Sequence, residues 1–191
     1  MSRNSLWESI LGSIYPSFCQ ACKRTNAFSD LHLFFQCYMK LVLTDHMQNE
    51  ENRFMLRMEG RIPVANAAAM FLYSNSPVCK SILKAIKYRN RPKIAYHIGV
   101  LLGEKMIKSP FFNVDIIIPV PLHYKKLKSR TYNQSQYFGM GLSHSLKIPC
   151  EQSAIKRIKH TASMTTLDRE DRFENIIHAF KVREKEKIQG K

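Results

Sequence analysis

Acidic residues are missing from two long stretches of this chain. None occurs between Arg61 and Gly103, where Arg61, Lys80, Lys84, Lys87, Arg89, Arg91 and Lys93 all lie, and none between Ile116 and Cys150. Across 191 residues, 30 Lys and Arg stand against 15 Asp and Glu, a formal charge of +15. A short charge run is ordinarily a solvated face, but two acid-free stretches of this length predict a positive surface. Such a surface favours polyanions such as nucleic acid, nucleotides or anionic headgroups, and it says nothing about fold.

Long apolar runs are absent too. Trp7, Ile10, Leu11 and Ile14 are interrupted by Glu8 and Ser9 and read as one or two turns of amphipathic helix, far too short to span a bilayer. Neither a secretory signal nor a transmembrane helix is expected. Five cysteines, an odd number with one Cys-x-x-Cys pair, suit a reducing cytoplasm better than a disulfide framework. Glycine is scarce, with none between Gly141 and Gly190. An apolar content of 45% is ample for a core, and the length allows a small module plus a medium domain.

The N-terminal part, residues 1–60, is polar, irregular and cysteine-bearing, and Gln48 to Arg61 reads as a linker. Val64 to Tyr73 reads as a strand or a buried segment. From Pro77 the pattern is helical: Val78, Ile82, Leu83 and Ile86 share one face while Lys80, Lys84 and Lys87 share another. That helix ends in a basic cluster, Lys87, Tyr88, Arg89 and Arg91, where Pro92 breaks the run. A second helix carries Ile94, Ile98, Leu101 and Leu102 inward, and a third, Gln134 to Leu146, carries Phe138, Leu142 and Leu146 inward. Helix, strand, loop and helix in that order predict an α/β domain with a parallel sheet over 61–191.

The strand in that order is the most informative stretch, DIIIPVPLHYKKLKSRTYNQ (115–134). Its apolar run suits a parallel strand covered on both faces. Pro119 and Pro121 must end the strand, so Lys125, Lys126, Lys128 and Arg130 fall in a loop just past its carboxyl end, where open α/β sheets bind ligands. Clustered ammonium and guanidinium groups there suit phosphate or pyrophosphate. Asn133 is a good helix N-cap for the next element.

The string PVPLHYKKLKSRTYNQS resembles the PVPLHxxKLxxRGYNQS signature of the competence protein F (ComF) family. IKYRNRP (86–92) is similar to a family LKYxG stretch. Arg157, Thr161, Arg172, Asn175 and Ala179-Phe180 resemble a downstream RxxxT…RxxNxxxAF pattern. Two departures stand out, Thr131 for the usual glycine and Met164 for a usual glutamine. The resemblance implies a type I phosphoribosyltransferase-like domain, 5-phosphoribosyl 1-pyrophosphate with Mg²⁺ as ligands, and a role in natural competence with competence-machinery partners. Lys125, Lys126, Arg130, Asn133 and Gln134 would meet the diphosphate.

Cys19-x-x-Cys22, between Pro16 and Lys23, is a tight turn suited to binding zinc with two thiolates. Aligned on Leu41 and Thr44, the next segment resembles the family's second knuckle, with Cys37 as its second member and Phe34 in place of the first. Zn²⁺ on Cys19, Cys22 and Cys37 is therefore an expectation, with His32 as candidate fourth ligand, in a degenerate zinc-ribbon-like module. Cys79 and Cys150 read as small core residues.

Phosphoribosyltransferases of this type hold the ribose phosphate on an apolar strand followed by Asp-Asp and Thr-Thr-Gly. MTTLDRED (164–171) has threonines and acids in another order and reads as a charged helix start. KIQGK (187–191) resembles the family segment just before that strand, so the domain is expected to be incomplete and catalytically deficient. A different class of function is a single-stranded nucleic-acid accessory protein, supported by cations beside rings at Lys87-Tyr88, Lys93-Tyr96, Tyr124-Lys125 and Arg130-Tyr132. A frameshifted, inactive product is a third reading.

Overall fold

The computed structural model describes residues 18–25, 31–74, 76–109, 113–161 and 176–190. The expected helix around Trp7 to Ile14, the 164–171 segment, Met164, Arg172 and Asn175 lie outside the described residues. The chain divides into two compact units, one ending at Ile94 and the other beginning at Ala95. Among the described residues no helix is long and apolar enough to cross a membrane.

In the first unit, a turn at residues 19–23 is closed by Lys23 N–H donating to Cys19 O at 3.0 Å. Helix α1, Phe35–Tyr38, is a single turn. An antiparallel bridge then joins Leu43 to Phe71. The segment expected as a linker holds a helix, α2, Arg53–Met58. Asn52 explains it: its buried carboxamide accepts from Phe54 N–H at 3.0 Å and Met55 N–H at 2.9 Å, and donates to Ala67 O at 2.9 Å. A side chain that caps a helix and pins a distant loop offsets the orphan donors of the first turn. Val64 to Tyr73 is not a strand; apart from the bridge at Phe71 it is irregular and largely exposed.

Helix α3, Pro77–Tyr88, follows the periodicity. Ser76 Oγ accepts from Cys79 N–H at 3.1 Å, and Pro77 opens the first turn, where its missing N–H costs nothing. Val78, Cys79, Ile82, Ala85 and Ile86 are buried, whereas Lys80, Lys84 and Lys87 are exposed. Each buried aliphatic side chain of this size contributes about 1.5–3 kcal/mol.

Helix α4, Pro92–Ile107, runs across the boundary between the units. The second unit continues with α5, Tyr124–Arg130, and α6, Gln134–Leu146. Gly99 on α4 and Gly141 on α6 let two backbones meet. A Cβ at Gly141 would strike Tyr96 O and come within 2.9 Å of Val100 N, and one at Gly99 would strike Phe138 O. Strands β1, Ile155–Arg157, and β2, Phe180–Val182, form a two-stranded antiparallel sheet, with Lys156 set directly opposite Lys181.

Two expectations are corrected here. The parallel sheet is reduced, among the described residues, to one parallel bridge between Ile117 and Cys150, and Ile116 to Ile118 are half-buried rather than covered on both faces. The bridge is held by Ile117 N–H to Pro149 O and Glu151 N–H to Ile117 O, both 2.9 Å. It is flanked by Pro119 on one side and Pro149 on the other, neither of which has an N–H to extend a ladder. The basic segment after it is helix α5, not a loop. Architecturally, the described residues are helices with short sheet elements.

Candidate anion site and candidate metal centre

The chain turns from Pro121 into α5 through His123. Its Nδ1 accepts from Lys125 N–H at 3.4 Å, and its ring also hydrogen-bonds the Ile158 backbone. A residue outside the usual capping set thus starts the helix and ties it to the segment after β1. His123 is 5% exposed and lies beside His160 in a tilted arrangement, with ring centroids 5.0 Å apart. Burial depresses its pKa, helped by electrostatic repulsion from His160, Lys125 and Arg157. An imidazole whose Nδ1 must accept is one that stays neutral.

Four residues apart on α5, Lys126 and Arg130 share a face. Burial lowers the Lys126 pKa, with Arg157 and then Arg130 adding repulsion. Among the described residues, the charged side chains that act on Lys126 are Arg157 and Arg130, and Lys125 and Arg157 act on His123. Arg130 Nη1 donates to Gln134 Oε1 at 2.9 Å, which aims the guanidinium along α6. Arg157, the last residue of β1, lies 5.3 Å from the Phe180 ring and donates to the hydroxyl of buried Thr161. Its Nε is buried with no hydrogen-bond partner among the described residues. Half-buried like charges with no carboxylate among the described residues acting on Lys126, and a guanidinium N–H without an acceptor, are costly as they stand. A phosphate or pyrophosphate group would offset the clustered positive charge.

Lys126, Arg130 and Gln134 of the sequence-predicted set are thus brought together. Asn133 is differently employed: Oδ1 accepts from Ser135 N–H at 3.1 Å and Nδ2 donates to Val120 O at 3.1 Å, so it caps α6 and pins the Pro-Val-Pro turn. Lys125 and Lys128 are exposed at the rim. Sequence reasoning did not place His123, Arg157 or His160 in the site. Arg157 and Thr161 were visible as motif letters four apart, which signals a pairing but not its position beside α5.

In the first unit, Lys87, Tyr88, Arg89 and Arg91 are all exposed at and just beyond the end of α3, Tyr88 by 72%. A shallow groove of ≈ 410 Å³ runs along the β1–β2 ribbon of the second unit, lined by Lys156, Ile158, Lys181, Val182 and Arg183.

The Sγ atoms of Cys19, Cys22 and Cys37 lie within 4.8 Å of one another. Cys19 Sγ accepts from Cys22 N–H at 3.4 Å and Phe34 N–H at 3.3 Å. Burial pushes the Cys19 thiol up, but the backbone N–H groups of Cys22, Phe34 and Ala21 hold it down at about 7. Cys37 is pushed up to about 11, by burial first and then by the other two sulfurs. Thiols clustered this closely, one of them made acidic by backbone N–H groups, fit a metal that replaces their protons. These three can hold a metal ion, and they supply three of the four corners zinc takes. His32, the expected fourth ligand, is not part of the group; its carbonyl accepts from Gln20 N–H at 2.9 Å instead. Cys79 is buried and Cys150 half-buried, and neither is a member of this group.

No family model and no solved structure matches this chain. A 66-residue segment is 39% identical to competence protein F of Haemophilus influenzae, covering 35% of this chain and 29% of that protein. The chain therefore resembles the ComF family, and the match spans less than a third of the relative's length.

Proposed function

We propose that this chain is a ComF-type protein with a competence-related role, whose second unit binds a pyrophosphate or phosphate group on the face made by Lys126, Arg130 and Arg157. The observation that carries this reading is the convergence of three cations from α5 and β1, with no acidic group among the described residues acting on Lys126. Arg157 and Arg130 would take oxygens through directed N–H bonds, and Lys126 would act as a point charge. Lys125 would add charge at the rim, and Gln134 would hold Arg130 in place. The diphosphate of 5-phosphoribosyl 1-pyrophosphate, with its accompanying Mg²⁺, is the ligand that the family resemblance suggests. On this reading the first unit carries a Zn²⁺ on Cys19, Cys22 and Cys37.

Calorimetric titration with pyrophosphate tests the anion site. Lys126→Ala and Arg157→Ala should each weaken binding by about tenfold or more, as expected for hydrogen bonds to a charged group of about 1.5–3 kcal/mol. Lys128→Ala, at the exposed rim, should change it little. Absence of binding by the unaltered chain, or unchanged binding by both variants, rejects the proposal.

A second reading is single-stranded nucleic-acid binding without transferase chemistry. The exposed Tyr88 ring among exposed Lys87, Arg89 and Arg91 favours it, because a stacking ring amid backbone-neutralising charge is how such strands are held.

A further inference from the structure

Phe34 stands where a fourth zinc ligand would fall, and its groups are already engaged. Its N–H donates to Cys19 Sγ at 3.3 Å, and its ring lies 5.8 Å from the Arg24 guanidinium. Among the described residues, no other cysteine, histidine, aspartate or glutamate joins the three sulfurs. Two of those sulfurs belong to buried residues, Cys19 and Cys37, but Cys22 is exposed, so the cluster reaches the protein surface. Closed structural sites have four protein ligands, whereas sites with three keep one position for an exchangeable group.

We propose that Cys19, Cys22 and Cys37 hold a zinc-class ion whose fourth position is open to an exogenous donor, water at rest and a small thiol or imidazole when present. This inference rests on the metal reading above and adds to it that the centre is coordinatively open. Three thiolates and a divalent ion carry a net single negative charge. The adjoining Lys23 and Arg24, with no acidic residue between Phe18 and Arg24, leave the surroundings positive enough to accept a thiolate as a fourth ligand. The incoming thiol loses its proton to solvent, its sulfur binds the metal, and water leaves. No oxidation is involved.

The test uses the whole chain, reduced with a phosphine and loaded with Co²⁺ alone. One ion should bind per chain, with sulfur-to-metal absorption of three thiolates. Adding 2-mercaptoethanol or imidazole should shift the visible ligand-field bands in a saturable way while the ion stays bound. Bands that ignore both additives, with Co²⁺ bound, overturn the open position and leave the metal reading standing. Failure to bind Co²⁺ overturns both. His32→Ala and Asp30→Ala should leave Co²⁺ affinity nearly unchanged. A loss of about tenfold or more in either would identify a chain ligand closing the site and would overturn the inference.

Discussion

Thr131 is the C-cap of α5, with φ 68° and ψ −20°, in the left-handed region where a branched side chain is crowded by its own backbone. Its hydroxyl donates to Arg130 O at 2.6 Å, which compensates in part. The sequence marks this position as a departure from a family glycine, and the structure supplies the physical reason glycine is favoured. Thr131→Gly should stabilise the second unit by about 1 kcal/mol, read as a higher urea midpoint at unchanged slope. Glu151 shows the opposite kind of residue, an acid used fully. The Ser153 hydroxyl and N–H donate to it at 2.5 and 2.9 Å, and Lys187 pairs with it at 3.1 Å. These hold its pKa at about 2, below the ordinary 4.5. A depressed folded-state pKa stabilises above the ordinary value and loses that effect as pH falls towards the folded one. The stability difference between the unaltered chain and Glu151→Gln should therefore be present near pH 6 and shrink between about 4.5 and 2 in denaturant titrations. The Thr131 position is flagged by its missing glycine, whereas the Lys187 contact to Glu151 is not readable from neighbours in sequence, because it depends on how the chain returns.

Helices α3, α4 and α6 were legible because periodicity, Pro77, Pro92 and Asn133 all signal the same boundaries. Helix α5 was not. Four cations in YKKLKSR repel along a helix, and its cap is a histidine, so local rules point to a loop. The apolar run at Ile116 to Ile118 was legible as extended but not as nearly unpaired, since Pro149 on the facing segment is a tertiary coincidence. The α4–α6 contact was also missed, although Gly99 and Gly141, each inside a helix, are its signal. Gly141→Ala must push backbone away from Tyr96 O and Val100 N. It should cost about 3 kcal/mol or more by forced overpacking. A thermal unfolding shift for Gly141→Ala no larger than that of an exposed substitution such as Met140→Ala would show that the two helices separate easily.

For the whole molecule, a charge of +15 makes ionic strength the controlling variable. If the exposed Lys87–Arg91 cluster and the α5 face both meet polyanions, affinity for a single-stranded oligonucleotide should fall steeply and log-linearly between low and moderate salt. Fluorescence anisotropy at two salt concentrations checks this, and a flat or absent response removes nucleic-acid binding from consideration. The positive surface was legible from the two acid-free stretches. Its focus at Arg157 was not, because that residue lies outside both stretches and reaches α5 only through the fold. The β1–β2 ribbon shows the same charge acting on its own architecture. Lys156 and Lys181 sit face to face across it, and like charges directly opposite weaken a ladder. In dilute buffer the repulsion between these ammonium groups should weaken the pairing, and in brine that quarrel is muffled. This small sheet therefore knits more firmly as ionic strength rises, the reverse of what befalls a sheet fastened by opposite charges.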